Sequence, residues 1–207
     1  MNVPSRILCS IIVITFLCLP GCTKTKVAST WKSEDLKRGP MERVLVVGMC
    51  TDPSTRELFE SVFALEVLKY KVGAITGYET FPSNLCPTVE AIKEKCRELN
   101  VDSVLVVRAI SQQETPIYQP PPTFETTLEP VPFDGYLTKS ASMGIQTGSY
   151  KRRMNIRLQT RVFDVATEKQ IWSAKTNTIN PESTYDLVDK FSEEIIKALK
   201  KDGLIGR

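Results

Sequence analysis

Arg43-Val44-Leu45-Val46-Val47-Gly48-Met49, followed directly by Cys50-Thr51-Asp52-Pro53, is the stretch that decides the fold. The first seven residues are an almost unbroken apolar run, as expected for a strand covered by other elements on both faces. Asp52 is a good helix N-cap and Pro53 suits a first helical turn, so we expect a helix to begin there. A buried strand that leads into a helix is the first half of a β-α-β unit with parallel strands.

The same alternation continues along the chain. Residues 72–76 predict a short second strand, Pro87 opens a second helix, and 103–110 form another apolar run. From 151 the apolar period becomes two, which predicts a β-hairpin that turns at 166–169. These patterns predict an α/β fold with a mixed sheet, in the order β-α-β-α-β, a long loop, a β-hairpin and a C-terminal helix. Asn180-Pro181 would cap that last helix, and Gly203 would end it.

The predicted loop covers about 113–150 and is rich in proline and aromatic residues. Prolines limit the entropy lost on binding and aromatic rings supply contact area, so the loop is a candidate docking site. The alternatives are a disordered insertion, or a segment that merely covers the neighbouring sheet edge. Its candidate binding residues are Tyr118, Phe124, Phe133 and Tyr136.

Arginines recur on the strand that follows this loop. Arg153, Arg157 and Arg161 alternate with apolar residues, so together with Lys151 they should share one face of the strand. Such a face could bind an anionic partner, for example lipid headgroups, lipopolysaccharide or peptidoglycan carboxylates. The alternative is a solvated face whose cations are partly paired with neighbouring acids.

The first 21 residues read as an export signal. One cation, Arg6, precedes an apolar stretch over 7–19, which is too short for a membrane-spanning helix. The stretch ends in Leu19-Pro20-Gly21-Cys22 and resembles the signal of bacterial lipoprotein precursors. An uncleaved N-terminal anchor or an ordinary secretory signal are the alternatives.

The resemblance to lipoprotein precursors implies that Cys22 is the first mature residue and carries a diacylglyceryl thioether and an acylated amine. Thr23 stands where aspartate would favour retention in the inner membrane, which implies an outer-membrane lipoprotein facing the periplasm. Residues 22–40 would then be a polar tether, interrupted by Trp31, and 41–207 a single domain.

Three cysteines follow Cys22, and an oxidising compartment would favour one disulfide among them. Cys86 and Cys96 stand at the start and in the body of one predicted helix, about 15 Å apart, too far for a bridge. Cys50 and Cys86 both follow strands, so we expect that pair. The alternative is three independent, small apolar residues.

Composition limits the chemistry. The chain has no histidine, which excludes Ser-His or Cys-His nucleophile pairs and any histidine zinc site. The turn after 43–49 has Gly48 alone, so a phosphate cradle is not predicted. A formal charge of +3 is too small to indicate nucleic acid. We therefore expect no enzyme activity, no cofactor, no metal and no nucleic-acid partner.

Two segments are similar to a group of periplasmic proteins. Phe163-Asp164-Val165-Ala166-Thr167-Glu168-Lys169-Gln170-Ile171-Trp172-Ser173, together with the entry to the strand at Val104, resembles a hairpin of uncharacterised lipoproteins. The wider group includes the curli-secretion lipoprotein, the lipoprotein activator of penicillin-binding proteins and the N-terminal domain of the Tol-Pal β-propeller protein. Glu168 stands where that group usually has glycine.

The resemblance implies an α/β domain that contacts other envelope proteins and has no catalytic residues. The function expected from the sequence is thus a lipid-anchored, non-enzymatic envelope protein that binds another envelope protein as an accessory or activator. The alternative is a ligand-binding module for a cell-wall or anionic lipid fragment. In both cases the N-terminal lipid provides the contact with the membrane.

Overall fold

A computed structural model describes residues 24–34, 38–50, 52–81, 88–121, 132–135 and 148–206. It contains a six-stranded mixed sheet in the order β1-β6-β5-β4-β2-β3. The fold class predicted from the sequence is confirmed. In the described ranges, no helix has the length and apolar character needed to cross a bilayer.

The elements are β1 (Lys24–Lys32), β2 (Arg43–Met49), α1 (Pro53–Leu68), β3 (Gly73–Thr76), α2 (Gly77–Thr80), α3 (Val89–Glu98), β4 (Ser103–Gln119), β5 (Ser149–Asp164), β6 (Gln170–Ile179) and α4 (Thr184–Lys201).

Strand β2 forms the centre of the parallel part of the sheet. It pairs with β3 on one side and β4 on the other, and its residues from Val44 to Gly48 are buried. The side chain of Asp52 accepts a hydrogen bond from the Thr55 backbone N–H (2.8 Å) and caps α1, with Pro53 in the first turn. Both features follow the local sequence, because the apolar run requires burial and the Asp-Pro pair satisfies the start of the helix.

The two faces of the sheet are covered unequally. Helices α1 and α4 pack on one face, where the rings of Phe59, Phe63 and Phe191 lie 5.7–6.3 Å apart and Trp172 is fully buried. Helix α3 packs on the other face, where its buried Cys96 belongs to a cluster with Leu45 and Val47 of β2 and Val104 of β4. The half of this second face formed by β1, β5 and β6 therefore has no described helix over it.

A partly buried ionic network closes the end of the sheet at which β2 and β4 begin. Arg38 donates to Asp102 (2.7 Å) and Asp164 (2.5 Å). Burial alone would raise the pKa of Asp102, but hydrogen bonds from Ser103, Arg38 and two backbone N–H groups lower it. The pKa of Asp164 is lowered in the same way, with hydrogen bonds from Thr167 and Arg38 outweighing burial. Both carboxylates are therefore held in the charged form.

The polar tether predicted for 22–40 is wrong for residues 24–32, which form strand β1. Lys24 lies opposite Ile179 and Lys32 opposite Trp172 in an antiparallel pair with β6. Only Thr25 and Val27 are half-buried. An edge strand with one solvated face needs few apolar residues, and exposed lysines are common there because they discourage further strand pairing. Such a strand has the composition of a linker.

The predicted loop is too long at both ends. Strand β4 continues to Gln119 and β5 begins at Ser149, so residues 114–119 and 149–154 form a two-stranded extension, named here the ribbon. Among the residues that the structure describes, no helix element packs against either side of the ribbon, and its sequence lacks the alternation of a half-buried strand. A register shift between Ala109 and Ser111 marks the point where β4 leaves the core.

The C-terminal helix begins later than predicted. Ser183, rather than Asn180-Pro181, caps α4 by accepting from the Asp186 backbone N–H (3.0 Å). Asn180 has a φ of 49° and exchanges hydrogen bonds with the backbone of Met154 instead. Gly203, with a φ of 75°, follows the end of the helix as predicted.

Candidate binding face

The half of the sheet that α3 leaves open carries a set of cations. Side chains that lie opposite one another in the paired strands point to the same side, so the register places seven exposed cations on this face, next to Lys151 near the start of β5. Along β1, the end of β4, β5 and β6, no aspartate or glutamate occupies a position on that side. We name this surface the basic face; its cations are Lys24, Lys26, Arg108, Arg153, Arg157, Arg161 and Lys175.

The three predicted arginines form the central line of the basic face. Arg153, Arg157 and Arg161 lie on one side of β5 and are all exposed, as the alternation predicts. Four residues of strand separate consecutive arginines, a spacing of about 13 Å. Arg157 lies between Asn177 of β6 and Ser111 of β4, so uncharged polar side chains flank this arginine on both neighbouring strands.

The cations of the basic face lack acidic partners in the part of the chain that the structure describes. No ion pair there reaches any of the seven, and Arg108 donates to the amide oxygen of Gln159 (3.0 Å). Other arginines differ: Arg38 and Arg56 both form close pairs with carboxylates. The described ion pairs thus do not include the partial neutralisation weighed from the sequence, and a solvated face stays the alternative to a binding face.

Trp31 adds an aromatic surface to the basic face. It lies opposite Ser173, the neighbour of Arg161, and is 50% exposed. Together with Gln159 and Lys175 it borders a shallow depression of about 230 Å³. The sequence offered no signal for this placement, because Trp31 stands in a polar stretch that lacks the pattern of a buried strand.

The predicted aromatic residues are only partly described. Tyr118 lies in the ribbon, half-exposed, with its ring 5.3 Å from that of Tyr150. Phe133 is 78% exposed in the separate segment 132–135. Phe124 and Tyr136 lie outside the described residues. The structure thus brings Tyr118 together with Tyr150, which sequence reasoning had noted only as one of the scattered aromatics.

The described cysteines are poor nucleophiles. Burial, followed by the charge of Glu60, raises the pKa of Cys50, and burial raises that of Cys96. Both thiols are therefore held in the neutral form. Cys22 and Cys86 lie outside the described residues, so lipidation of the first and pairing of the second with Cys50 stay predictions.

A second concave region lies where β2 and β4 leave the core. Helices α1 and α3 pack on opposite faces of the sheet. The chain runs from β2 to β3 on one side of β2 and from β4 to β5 on the other, which is the geometry of a topological switch point. A cleft of about 510 Å³ opens there between the first turns of α1 and α4. Its apolar lining includes Phe59, Val107, Ile156, Leu187 and Val188.

The side chain of Glu60 links the neighbouring elements in this region. It is fully buried, and Oε1 accepts from the Gly48 backbone N–H (2.8 Å) and from Arg56 Nε (2.9 Å). Oε2 accepts from the Tyr78 backbone N–H (2.5 Å). The carboxylate therefore joins the end of β2 to the start of α2 and acts as a structural acceptor. A Cβ on Gly48 would lie 2.9 Å from the ring of Phe59, so this glycine permits close packing.

Comparisons with known proteins do not assign this chain to a family. No protein-family model matches the chain, and no curated protein matches its sequence. Among solved structures, it is similar to a PelC dodecamer from Paraburkholderia phytofirmans, with 14% identity and a TM-score of 0.47 over 89% of this chain and 99% of that chain. A PelC variant dodecamer from the same organism matches with 13% identity and a TM-score of 0.46, over 90% and 100% of the two chains.

The lipoprotein GNA1162 from Neisseria meningitidis also matches, with 13% identity and a TM-score of 0.40 over 77% of this chain and 98% of that chain. At these identities and TM-scores, none of the matches assigns a function to this chain.

Proposed function

We propose that this chain is a lipid-anchored, non-enzymatic lipoprotein of the bacterial envelope that binds an acidic surface of another envelope protein through its basic face. It would act there as an accessory or activator. The observation that carries the proposal is the set of seven exposed cations without an acidic residue on the same side of their strands. The lipid anchor rests on Leu19-Pro20-Gly21-Cys22, and Thr23 favours the outer membrane, with the domain facing the periplasm.

A sheet face that carries charges of one sign is suited to bind a partner of opposite charge. Like charges that stand side by side repel one another, and a partner of opposite charge removes that repulsion. Each exposed ion pair contributes only about 0.2–1 kcal/mol, so several must act together, and salt should weaken the complex. The surface would therefore set the rate and specificity of encounter more than the final affinity.

A specific observation favours a second candidate. Trp31 borders a depression beside Lys175 and Gln159, and it shares the basic face with arginines spaced regularly along β5. An aromatic ring beside cations and amides fits a cell-wall fragment or an anionic lipid, in which charges and hydroxyl groups alternate. The same cations would then bind a small ligand or a polymer in place of a protein.

Photo-crosslinking in cells separates the two candidates. A photoreactive amino acid is placed at Gln159, in the middle of the basic face, and at Leu65 of α1 as an exposed control on the other side of the sheet. We expect one recurrent envelope protein to be captured from Gln159 and not from Leu65. Glycan or lipid adducts alone would favour the second candidate.

A charge-removal variant tests the mechanism. Substitution of Arg153, Arg157 and Arg161 by glutamine should abolish capture from Gln159, because these arginines are exposed and free of described ion pairs. Capture that persists unchanged in the triple variant would contradict binding through this face. Turnover of wall fragments by the purified protein would contradict the non-enzymatic assignment.

A further inference from the structure

The ribbon projects beyond the rest of the sheet. Lys24, Ile179, Asn155 and Gln113 lie side by side in one row across β1, β6, β5 and β4. Past that row, the ribbon is the one part of the described strands that continues, for six residues on each strand. At strand geometry this is an extension of about 20 Å.

The ribbon exposes apolar and aromatic side chains on both of its faces, with Ile117 on one face and Tyr118 and Tyr150 on the other. Ile117, Tyr118 and Tyr150 are 42%, 53% and 72% exposed, and the two tyrosine rings contact each other. Strand β5 adds the consecutive cations Lys151, on the side of Ile117, and Arg152, on the side of the tyrosines. Both are followed by Arg153 of the basic face. The ribbon's own acid is Glu114, whose carboxylate lies 3.8 Å from Arg152. Aromatic rings next to an excess of cations are typical of surfaces that contact anionic membranes.

The predicted lipid-bearing residue enters the fold at the same end of the sheet. Cys22 is separated from Lys24, the first residue of β1, by Thr23 alone. Two residues of chain span at most about 7 Å. The ribbon therefore extends more than 10 Å farther from the Lys24 row than the link to the lipid can reach. A long tether would have let the domain stand away from the membrane, but most of the predicted tether is strand β1.

We infer that the ribbon is a second membrane contact, seated on the anionic bilayer that holds the lipid anchor. Tyr118, Tyr150 and Ile117 lie at the depth of the headgroups, and Lys151 and Arg152 contact their phosphates. This inference rests on the proposed acylation of Cys22. With two points of contact, the domain has a defined orientation, and Arg157 and Arg161 lie progressively farther from the membrane.

Depth-dependent quenching tests this contact. The acylated full-length protein, carrying Tyr150→Trp, is reconstituted in vesicles of phosphatidylethanolamine and phosphatidylglycerol with brominated acyl chains. The matched control is Leu65→Trp, an exposed apolar position on the part of α1 that leads towards the opposite end of the sheet. After subtraction of the native tryptophan signal, we expect quenching at position 150 to be at least about twofold that at position 65. Equal quenching at the two positions would overturn the inference.

A charge variant and a mass measurement complete the test. Lys151→Gln with Arg152→Gln should reduce quenching of the tryptophan at position 150, whereas Lys169→Gln with Lys201→Gln, at the other end of the domain, should not. The mass of the N-terminal peptide reports acylation separately. An unmodified Cys22 would contradict the proposed anchor, whereas an acylated Cys22 with a water-exposed ribbon would contradict this inference alone.

Discussion

Substitution of Glu60 by alanine should destabilise the domain strongly, although the residue lies far from the basic face. Its buried carboxylate accepts from Arg56 and from the backbone N–H groups of Gly48 and Tyr78. Alanine removes all three acceptor contacts and leaves a largely buried guanidinium beside an apolar core. The backbone N–H groups of Gly48, at the end of β2, and Tyr78, in α2, lose their acceptor at the same time.

The expected cost follows from this geometry. Removal of one partner of a buried ion pair costs about 3–5 kcal/mol, because the remaining charge stays desolvated. Each unsatisfied buried N–H would add about 1–3 kcal/mol if no water entered. We expect a loss of about 4 kcal/mol, since water can reach part of the space that the side chain leaves. For a domain of this size, that corresponds to a decrease in Tm of about 8–16 °C.

Urea unfolding, followed by the fluorescence of the buried Trp172, measures this loss. The control is Arg56→Met combined with Glu60→Leu, which replaces both charges by apolar groups and should recover much of the stability. A loss below about 1 kcal/mol for Glu60→Ala would refute the reasoning, because an acceptor with three buried donors must contribute more than a surface group.

Three further predictions concern stability. The pKa values of Asp102 and Asp164 are lowered in the folded protein, so stability should fall as the pH drops below about 4, and Arg38→Gln should flatten this dependence in urea titrations. Glu168 has a φ of 58°, so Glu168→Gly should relieve strain and raise Tm by about 1–2 °C in a thermal melt. Trp172→Phe removes a buried indole N–H hydrogen bond and should cost about 2 kcal/mol in urea unfolding followed by circular dichroism, since this variant lacks the buried fluorophore.

The sequence predicted the elements whose burial fixes a pattern. The apolar run of β2 predicted its bounds, and Asp52-Pro53 predicted the start of α1, because both signals are local. The alternation in β5 likewise placed its three arginines on one side, since the residues between them must face the core. Glu168, which stands where the hairpins that this segment resembles have glycine, has a positive φ of 58°.

Elements with solvated faces were not predictable in this way. Strand β1 and the ribbon carry polar residues because neither is enclosed, so their composition resembles that of a linker or a loop. The basic face as a whole depends on pairing between Lys26 and Asn177, residues about 150 positions apart. The role of Glu60 depends equally on backbone groups at 48 and 78. No window of local sequence contains such information.

The pairing of β1 with β6 also constrains the order in which the chain folds. β1 begins at Lys24, yet its partner ends at Ile179. Strand β1, which is synthesised first among the described strands, must therefore wait for β6, which is synthesised last, before it can join the sheet. Long loop closure of this kind slows folding, because the entropy is lost before the contacts form. We expect residues 24–32 to stay unpaired until nearly the whole chain is available for folding.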